Sequence, residues 1–213
     1  MMRTRVKLCG LRHPRDIEAA VTHGADAIGL VFFDKSPRAV AVEQARALAA
    51  AVPAFVTLVG LFVNAEPTLV RAVLARVPLG ALQFHGTEPP DYCQAFERPW
   101  IKAIAVREGT DLSRAAKDYQ GAASLLLDTY DPNKAGGTGR CFDWELVPEW
   151  LARRSILAGG LSPENVALAI ARVRPHAVDV SGGIERDKGL KDSEKISAFM
   201  QEVANGDQFR RGQ

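Results

Sequence analysis

The feature that most constrains the fold of this chain is a regular alternation of eight short apolar runs with amphipathic segments. The runs are rich in Val, Ile, Leu and Phe, and they lack a strict polar–apolar alternation. Strands buried on both faces have this pattern, as in parallel sheets covered by helices. We therefore predict eight strands, at residues 6–10, 27–32, 55–63, 81–85, 100–105, 124–128, 155–158 and 177–180.

A helix is predicted after each strand. Several of these segments begin with a proline after a polar residue, as in Ser162-Pro163, and proline is favoured in the first helical turn. Ala, Leu and Val recur at steps of three and four residues, which gives each helix one apolar face. The predicted helices cover residues 14–24, 42–51, 67–77, 89–97, 112–118, 144–152, 163–172 and 192–205.

Eight β-then-α units favour an α/β fold of the (β/α)8 TIM-barrel type. Parallel strands need crossover helices, and eight such units close into a barrel. An open doubly wound sheet is the alternative, but no strand is followed by the Gly-x-Gly-x-x-Gly turn that often opens its first helix. The length of 213 residues suits one barrel domain, predicted at 1–205, followed by a polar tail at 206–213 that is expected to be frayed.

Composition and charge exclude several classes of protein. The net charge is +2, with 27 basic and 25 acidic residues, so we expect no nucleic-acid or membrane partner. There is no apolar run of membrane-spanning length and no signal-peptide pattern, which indicates a cytoplasmic protein. The three cysteines, Cys9, Cys93 and Cys141, are too widely spaced for a Cys-x-x-Cys site, and no cluster has metal-ligand spacing. We therefore expect no bound metal and no disulfide framework.

The active site of such a barrel forms at the C-terminal ends of the strands, and two candidate proton-transfer residues lie there. Asp128 follows three leucines, and an apolar setting suits a general acid, although an aspartate here could also cap a turn. Cys9 ends the first strand and could act as a base or nucleophile, or be a small buried hydrophobe. Lys7 is expected to point away from the site, deeper in the barrel.

Two glycine turns after the last two strands predict a phosphate site. Glycine lets backbone N–H groups approach an anion, and a helix N-terminus adds a positive dipole. TIM barrels commonly bind phosphate after strands 7 and 8, although such glycines can also simply allow tight turns. The predicted phosphate-binding residues are Gly159, Gly160, Ser181, Gly182 and Gly183.

Other residues near the barrel mouth allow more than one interpretation. Arg38 could bind a substrate carboxylate in two-pronged fashion, or form a surface salt bridge. Gln83 and His85 could bind substrate, and His85 could merely pack. The glycine-rich loop at 129–143 is a candidate lid or a flexible connection. We predict no role for Cys93 or Cys141.

The motifs in chain order resemble those of the phosphoribosylanthranilate isomerase family. They span almost the whole sequence, and together they are far more specific than any one alone. Gln83-Phe84-His85 departs from the more usual Gln-Leu-His. The matching segments include Lys7-Leu8-Cys9-Gly10, Ser36-Pro37-Arg38, Gln83-Phe84-His85-Gly86, Leu127-Asp128, Gly136-Gly137-Thr138-Gly139, Ala158-Gly159-Gly160-Leu161 and Val180-Ser181-Gly182-Gly183.

The resemblance implies a cofactor-free step of tryptophan biosynthesis. N-(5′-phosphoribosyl)anthranilate is converted to 1-(2-carboxyphenylamino)-1-deoxyribulose 5-phosphate in an Amadori rearrangement. The family's general base matches Cys9, its general acid matches Asp128, and Arg38 matches a residue that holds the anthranilate carboxylate. The partner is then this small-molecule substrate, and the protein is a monomer or a homodimer. The roles of Asp179 and His85 remain open.

Three other functions stay as alternatives. One is a histidine-pathway isomerase, whose site resembles a pair of aspartates, and Cys9 at the end of the first strand argues against it. An indole-glycerol-phosphate synthase needs a lysine acid in the barrel and a longer N-terminal extension. A catalytically silent barrel that binds phosphometabolites would not need both Cys9 and Asp128.

Overall fold

The eight predicted strands close into a barrel in the computed structural model, which describes residues 3–129 and 141–211. Each strand pairs in parallel with its neighbours in chain order, and β1 closes the ring against β8. The (β/α)8 prediction is confirmed. The strands are β1 Arg5–Cys9, β2 Ala27–Val31, β3 Thr57–Phe62, β4 Ala81–Phe84, β5 Trp100–Val106, β6 Ser124–Thr129, β7 Ser155–Leu157 and β8 Ala177–Val180.

Helices follow the strands and cover the outside of the barrel. They are α1 Pro14–Thr22, α2 Val42–Ala49, α3 Pro67–Leu74, α4 Pro90–Gln94, α5 Leu112–Asp118, α6 Glu149–Ala152, α7 Val166–Val173 and α8 Ser193–Arg211. A short antiparallel pair of strands, β9 Glu185–Asp187 and β10 Leu190–Lys191, stands between β8 and α8. This pair was not predicted from the sequence, and it brings charged side chains to the barrel mouth.

The bounds of several helices differ from the predictions. The segment at 144–152 is a 3₁₀ turn followed by α6, because Pro148 between them cannot donate a helical hydrogen bond. Helix α7 begins at Val166 rather than at residue 163. Helix α8 continues through Arg211, so residues 206–211 are helical rather than frayed. In α8, the Asp207 carboxylate accepts hydrogen bonds from the backbone N–H and the hydroxyl of Thr4, at 2.9 and 2.7 Å.

Side chains alternate between the barrel interior and the helix layer. On β6, Leu125 and Leu127 belong to the core shared with the helices, whereas Leu126 belongs to a separate cluster inside the barrel. This alternation follows from the two-residue period of a strand. The next interior position after Leu126 is Asp128, so the period carries that carboxylate to the mouth of the barrel.

A buried ion pair outside the barrel fixes the turn after β4. Lys102 on β5 donates to Glu88 Oε2 at 3.0 Å and to the carbonyl of Gly86 at 2.6 Å. Glu88 Oε1 accepts in turn from the backbone N–H of Asn64 at 2.7 Å. Because His85 stands next to Gly86, this network holds the segment that carries His85 toward the site.

Candidate active site

Both predicted proton-transfer residues line one small cavity at the C-terminal end of the barrel. Cys9 ends β1 and Asp128 lies near the end of β6, and both are almost fully buried, at 4% and 8% exposed. The cavity has a volume of about 70 Å³. Its lining residues are Cys9, Val31, Phe33, Ser36, Arg38, Leu61, Val63, Gln83, His85, Asp128, Asp179 and Ser181.

The Cys9 thiol lies in a mainly apolar layer with Val31 and Leu61. Burial raises the pKa of this thiol, because desolvation disfavours the thiolate. The positive charges of Lys7 and Lys191 oppose that effect, whereas the charge of Asp179 adds to it. Ionisation of Cys9 near neutral pH therefore depends on the nearby cations.

The expectation that Lys7 points away from the site is wrong. Residues two apart on a strand project to the same face, so Lys7 and Cys9 both enter the barrel interior. Lys7 is 3% exposed, and its Nζ donates to Asp179 Oδ1 at 2.7 Å. The two-residue repeat of side-chain direction along a strand was the sequence signal that could have placed Lys7 beside Cys9.

A chain of hydrogen bonds leads from Gln83 through His85 to Asp128. Gln83 Nε2 lies 2.9 Å from His85 Nδ1, and His85 Nε2 lies 3.0 Å from Asp128 Oδ2. With the Gln83 amide nitrogen as donor, Nδ1 accepts and the ring hydrogen on Nε2 is donated to Asp128. The other carboxylate oxygen, Oδ1, accepts from the backbone N–H of Thr129 at 2.8 Å. This chain fixes the orientation of the Asp128 carboxyl group.

Arg38 reaches the cavity, but one edge of its guanidinium group is already bonded. Its Nε and Nη2 donate to the two oxygens of Glu185, at 2.6 and 2.8 Å. Lys191 also donates to Glu185, at 2.9 Å, and to the carbonyl of Ser181. Burial tends to raise the pKa of Glu185, but the hydrogen bonds and charges of Arg38 and Lys191 outweigh it and lower that pKa. Neither Glu185 nor Lys191 was predicted as a site residue.

The five predicted phosphate-binding residues line a second cavity, of about 250 Å³, next to the first. Gly159 and Gly160 have positive φ angles of 80° and 66°, which favour glycine. A Cβ on Gly183 would overlap the backbone carbonyl of Leu161, so the two turns are in close contact. Asn165 holds the first turn by donating to the Gly160 carbonyl at 2.9 Å. The two cavities share Asp128, Asp179 and Ser181.

The remaining candidates are placed as follows. Cys93 lies within α4 and is buried, and desolvation raises the pKa of its thiol to about 11. Cys141 is exposed and donates to the Gly160 carbonyl at 3.4 Å. The glycines of the candidate lid, Gly136, Gly137 and Gly139, lie outside the described residues.

Two features are absent from residues 3–129 and 141–211. Within these ranges, no three His, Cys, Asp or Glu side chains are grouped so that they could hold a metal ion. None of the helices within them combines the length and the apolar character needed to cross a membrane.

Comparisons with known proteins converge on one family. Residues 6–202 match the family described as N-(5′-phosphoribosyl)anthranilate isomerase. The chain is 57% identical over 203 residues to an N-(5′-phosphoribosyl)anthranilate isomerase of Pseudomonas putida, covering 95% of this chain and 98% of the relative.

Solved structures agree with the sequence comparison. The crystal structure of phosphoribosyl anthranilate isomerase from Thermotoga maritima has a TM-score of 0.86 and 42% identity, covering 94% of this chain and 98% of that one. A second phosphoribosyl anthranilate isomerase structure is a complex with reduced 1-(o-carboxyphenylamino)-1-deoxyribulose 5-phosphate. Its TM-score is 0.82 and its identity 40%, with the same coverage.

Proposed function

The chain belongs to the N-(5′-phosphoribosyl)anthranilate isomerase family, and we propose that it performs the family's reaction with Cys9 as general base and Asp128 as general acid. The reaction is the Amadori rearrangement of N-(5′-phosphoribosyl)anthranilate in tryptophan biosynthesis. The observation that carries the assignment of roles is the cavity at the barrel mouth, which Cys9 and Asp128 both line from different strands.

The chemistry requires two groups of opposite character. Opening the ribose ring needs an acid at the ring oxygen, and moving hydrogen off C2′ needs a base elsewhere on the sugar. Cys9 on β1 and Asp128 on β6 have separate surroundings. The thiol faces the cations of Lys7 and Lys191, whereas the carboxyl group is bonded to His85.

The second cavity supplies an anchor for the substrate phosphate. Its glycine turns offer backbone N–H groups, and its wall adjoins the first cavity at Asp128 and Asp179. A substrate with its phosphate between Gly160 and Gly183 therefore extends its sugar toward the proton-transfer residues. We propose backbone donors at Gly160, Ser181, Gly182 and Gly183 as the main phosphate contacts, with Gly159 shaping the turn.

The proposed substrate-binding residues are Arg38, Gln83 and His85. Glu185 occupies the Nε–Nη2 edge of Arg38, so we propose that the anthranilate carboxylate binds through Nη1. Gln83 Oε1 is buried and lacks a hydrogen-bond partner among the described residues, which leaves an acceptor for a substrate hydroxyl. His85 orients Asp128 and lines the same cavity.

The test of the catalytic pair is steady-state kinetics on Cys9→Ser and Asp128→Asn, followed by the loss of phosphoribosylanthranilate fluorescence. Either change should lower kcat by a factor on the order of 10² to 10⁴, while substrate still binds. A serine hydroxyl is too weak an acid to ionise unaided, and an asparagine keeps the shape but has no acidic proton.

Matched controls are Cys93→Ala, at a buried cysteine of α4, and Asp91→Asn on the exposed side of the same helix. Both should keep the parent kcat. If Cys9→Ser or Asp128→Asn retains activity within about threefold of the parent, the assignment is wrong.

The oligomeric state and the location of the protein stay predictions, namely a monomer or a homodimer in the cytoplasm. Light scattering on the purified protein measures the first, and cell fractionation the second.

A further inference from the structure

The side chains of Lys7 and Cys9 come close together beside a glycine on the neighbouring strand, which has no side chain to separate them. Gly29 on β2 is the register partner of Cys9. A Cβ placed on Gly29 would lie 2.7 Å from Cys9 Sγ and 3.2 Å from Lys7 Cε. The two side chains therefore converge on one spot inside the barrel, and the positive charge of Lys7 lowers the pKa of the thiol.

The ammonium group of Lys7 is held in place from the opposite side. Lys7 and Asp179 are register partners on β1 and β8, and their side chains bond at 2.7 Å. Their exposed fractions are only 3% and 8%. A buried ion pair of this kind contributes little to stability compared with apolar residues of the same volume. Its place beside Cys9 points to a role in the reaction.

Other charged groups also face Cys9, and most are engaged elsewhere. Lys191 on β10 and Arg38 after β2 both bond to Glu185 on β9. On the far side of the cavity, the groups are His85 and Asp128, which bond to each other. Lys7 is the cation on the same strand and face as Cys9.

We propose that Lys7 is a positioning residue for the isomerisation, whose ammonium group, oriented by Asp179, stabilises the thiolate form of Cys9. The inference rests on the proposed function, because it explains how Cys9 can serve as the base. Desolvation raises the pKa of the thiol even with Lys7 in place, and an opposite charge within about 4–6 Å lowers such a pKa by roughly 1–3 units. Loss of Lys7 should therefore raise the pKa of the thiol further and lower the fraction of thiolate.

The first measurement is the rate of Cys9 alkylation by iodoacetamide as a function of pH, read from the Cys9 peptide by mass spectrometry in the full chain. Only the thiolate reacts, so the midpoint reports its ionisation. Lys7→Met should move the midpoint upward by about 1–3 pH units. Lys7→Arg keeps the cation and should restore most of the shift.

Lys7→Met leaves Asp179 buried without its partner and could fail to fold. The comparison is therefore repeated between Asp179→Asn and the double variant Lys7→Met/Asp179→Asn, which holds no unpaired buried charge from this pair. The midpoint of Cys9 alkylation should again lie at higher pH in the double variant than in Asp179→Asn. The matched control is Lys102→Met/Glu88→Gln, which removes a buried lysine–carboxylate pair outside the barrel interior and should leave the midpoint unchanged.

The second measurement is the pH profile of kcat. In Lys7→Met the rising limb should move to higher pH by the same amount as the alkylation midpoint, with KM little changed. Midpoints that do not differ in either comparison would overturn the inference. A shifted alkylation midpoint with an unshifted kcat profile would support the effect of Lys7 on the thiolate, and would instead refute Cys9 as the base.

Discussion

Replacing Gly183 by alanine should damage phosphate binding through a backbone collision. The Cβ would overlap the Leu161 carbonyl oxygen and lie 2.9 Å from both the Leu161 carbonyl carbon and Ser162 Cα. All three are backbone atoms of the other glycine turn, so no side chain can rotate to make room. One turn must shift relative to the other, and the N–H groups that we assign to the phosphate move with it.

The size of the effect follows from the strain in the turns and from the misaligned hydrogen bond to the phosphate. Forcing extra volume into a tightly packed region costs about 1–3 kcal/mol of stability. A hydrogen bond to a charged group contributes about 1.5–3 kcal/mol, so misaligning one should lower kcat/KM by roughly 10- to 150-fold. The decrease should appear mainly in KM, because the phosphate lies away from the reacting carbons. The assays are substrate kinetics, inhibition by inorganic phosphate, and urea denaturation.

Gly182→Ala is the matched comparison within the same turn. A Cβ there meets only Arg38 Nη2, at 3.6 Å, which is an ordinary van der Waals distance. We expect a far smaller change in KM for Gly182→Ala than for Gly183→Ala. If Gly183→Ala matches the parent in KM, in phosphate inhibition and in stability, the turns are not in close contact and the phosphate is held elsewhere.

Three further predictions concern the charged groups. Arg38→Met should raise KM, with a loss of about 2–4 kcal/mol in transition-state binding, and an unchanged KM would remove Arg38 from the site. The pKa of Glu185 is lowered in the folded state, so its contribution to stability is present at neutral pH and is lost as pH falls below about 4.3. Unfolding midpoints of Glu185→Gln and the parent should therefore differ at pH 7 and converge in acid. Lys102→Met should cost about 3–5 kcal/mol by urea denaturation, and adding Glu88→Gln should recover much of it, because the unpaired buried charge is then gone.

The fold was predictable because burial on both strand faces leaves a strong sequence signal. The run at 177–180 coincides with β8, and the run at 124–128 differs from β6 by one residue. Helix ends were less predictable, since side-chain hydrogen bonds decide them. Asn165 accepts from the backbone N–H of Ser162 at 2.9 Å, so the loop continues past Pro163 before α7 begins.

The site was predictable where one strand end carries one reactive side chain, and less so where several elements converge. Cys9 and Asp128 each terminate an apolar run, so their positions at the mouth followed from the barrel alone. Glu185 and Lys191 come from the unpredicted strands β9 and β10, whose short charged sequence has no apolar run. The pairing of Arg38 with Glu185 joins residues 147 positions apart, and no local pattern indicates it.

On the proposed roles, the two cavities explain how one small barrel can hold an acid and a base without mutual neutralisation. Cys9 and Asp128 approach from β1 and β6, and each has its own neighbour: the charge of Lys7 acts on the thiol, and His85 is hydrogen-bonded to the carboxyl group. Asp179 lies on the wall shared by both cavities and is bonded to Lys7, so its negative charge is balanced locally. A phosphate in the glycine turns adds negative charge that would disfavour the thiolate, and Lys7 lies beside the thiol to oppose it. If the proposed roles are correct, the buried lysine is the residue that makes a cysteine base compatible with a phosphorylated substrate.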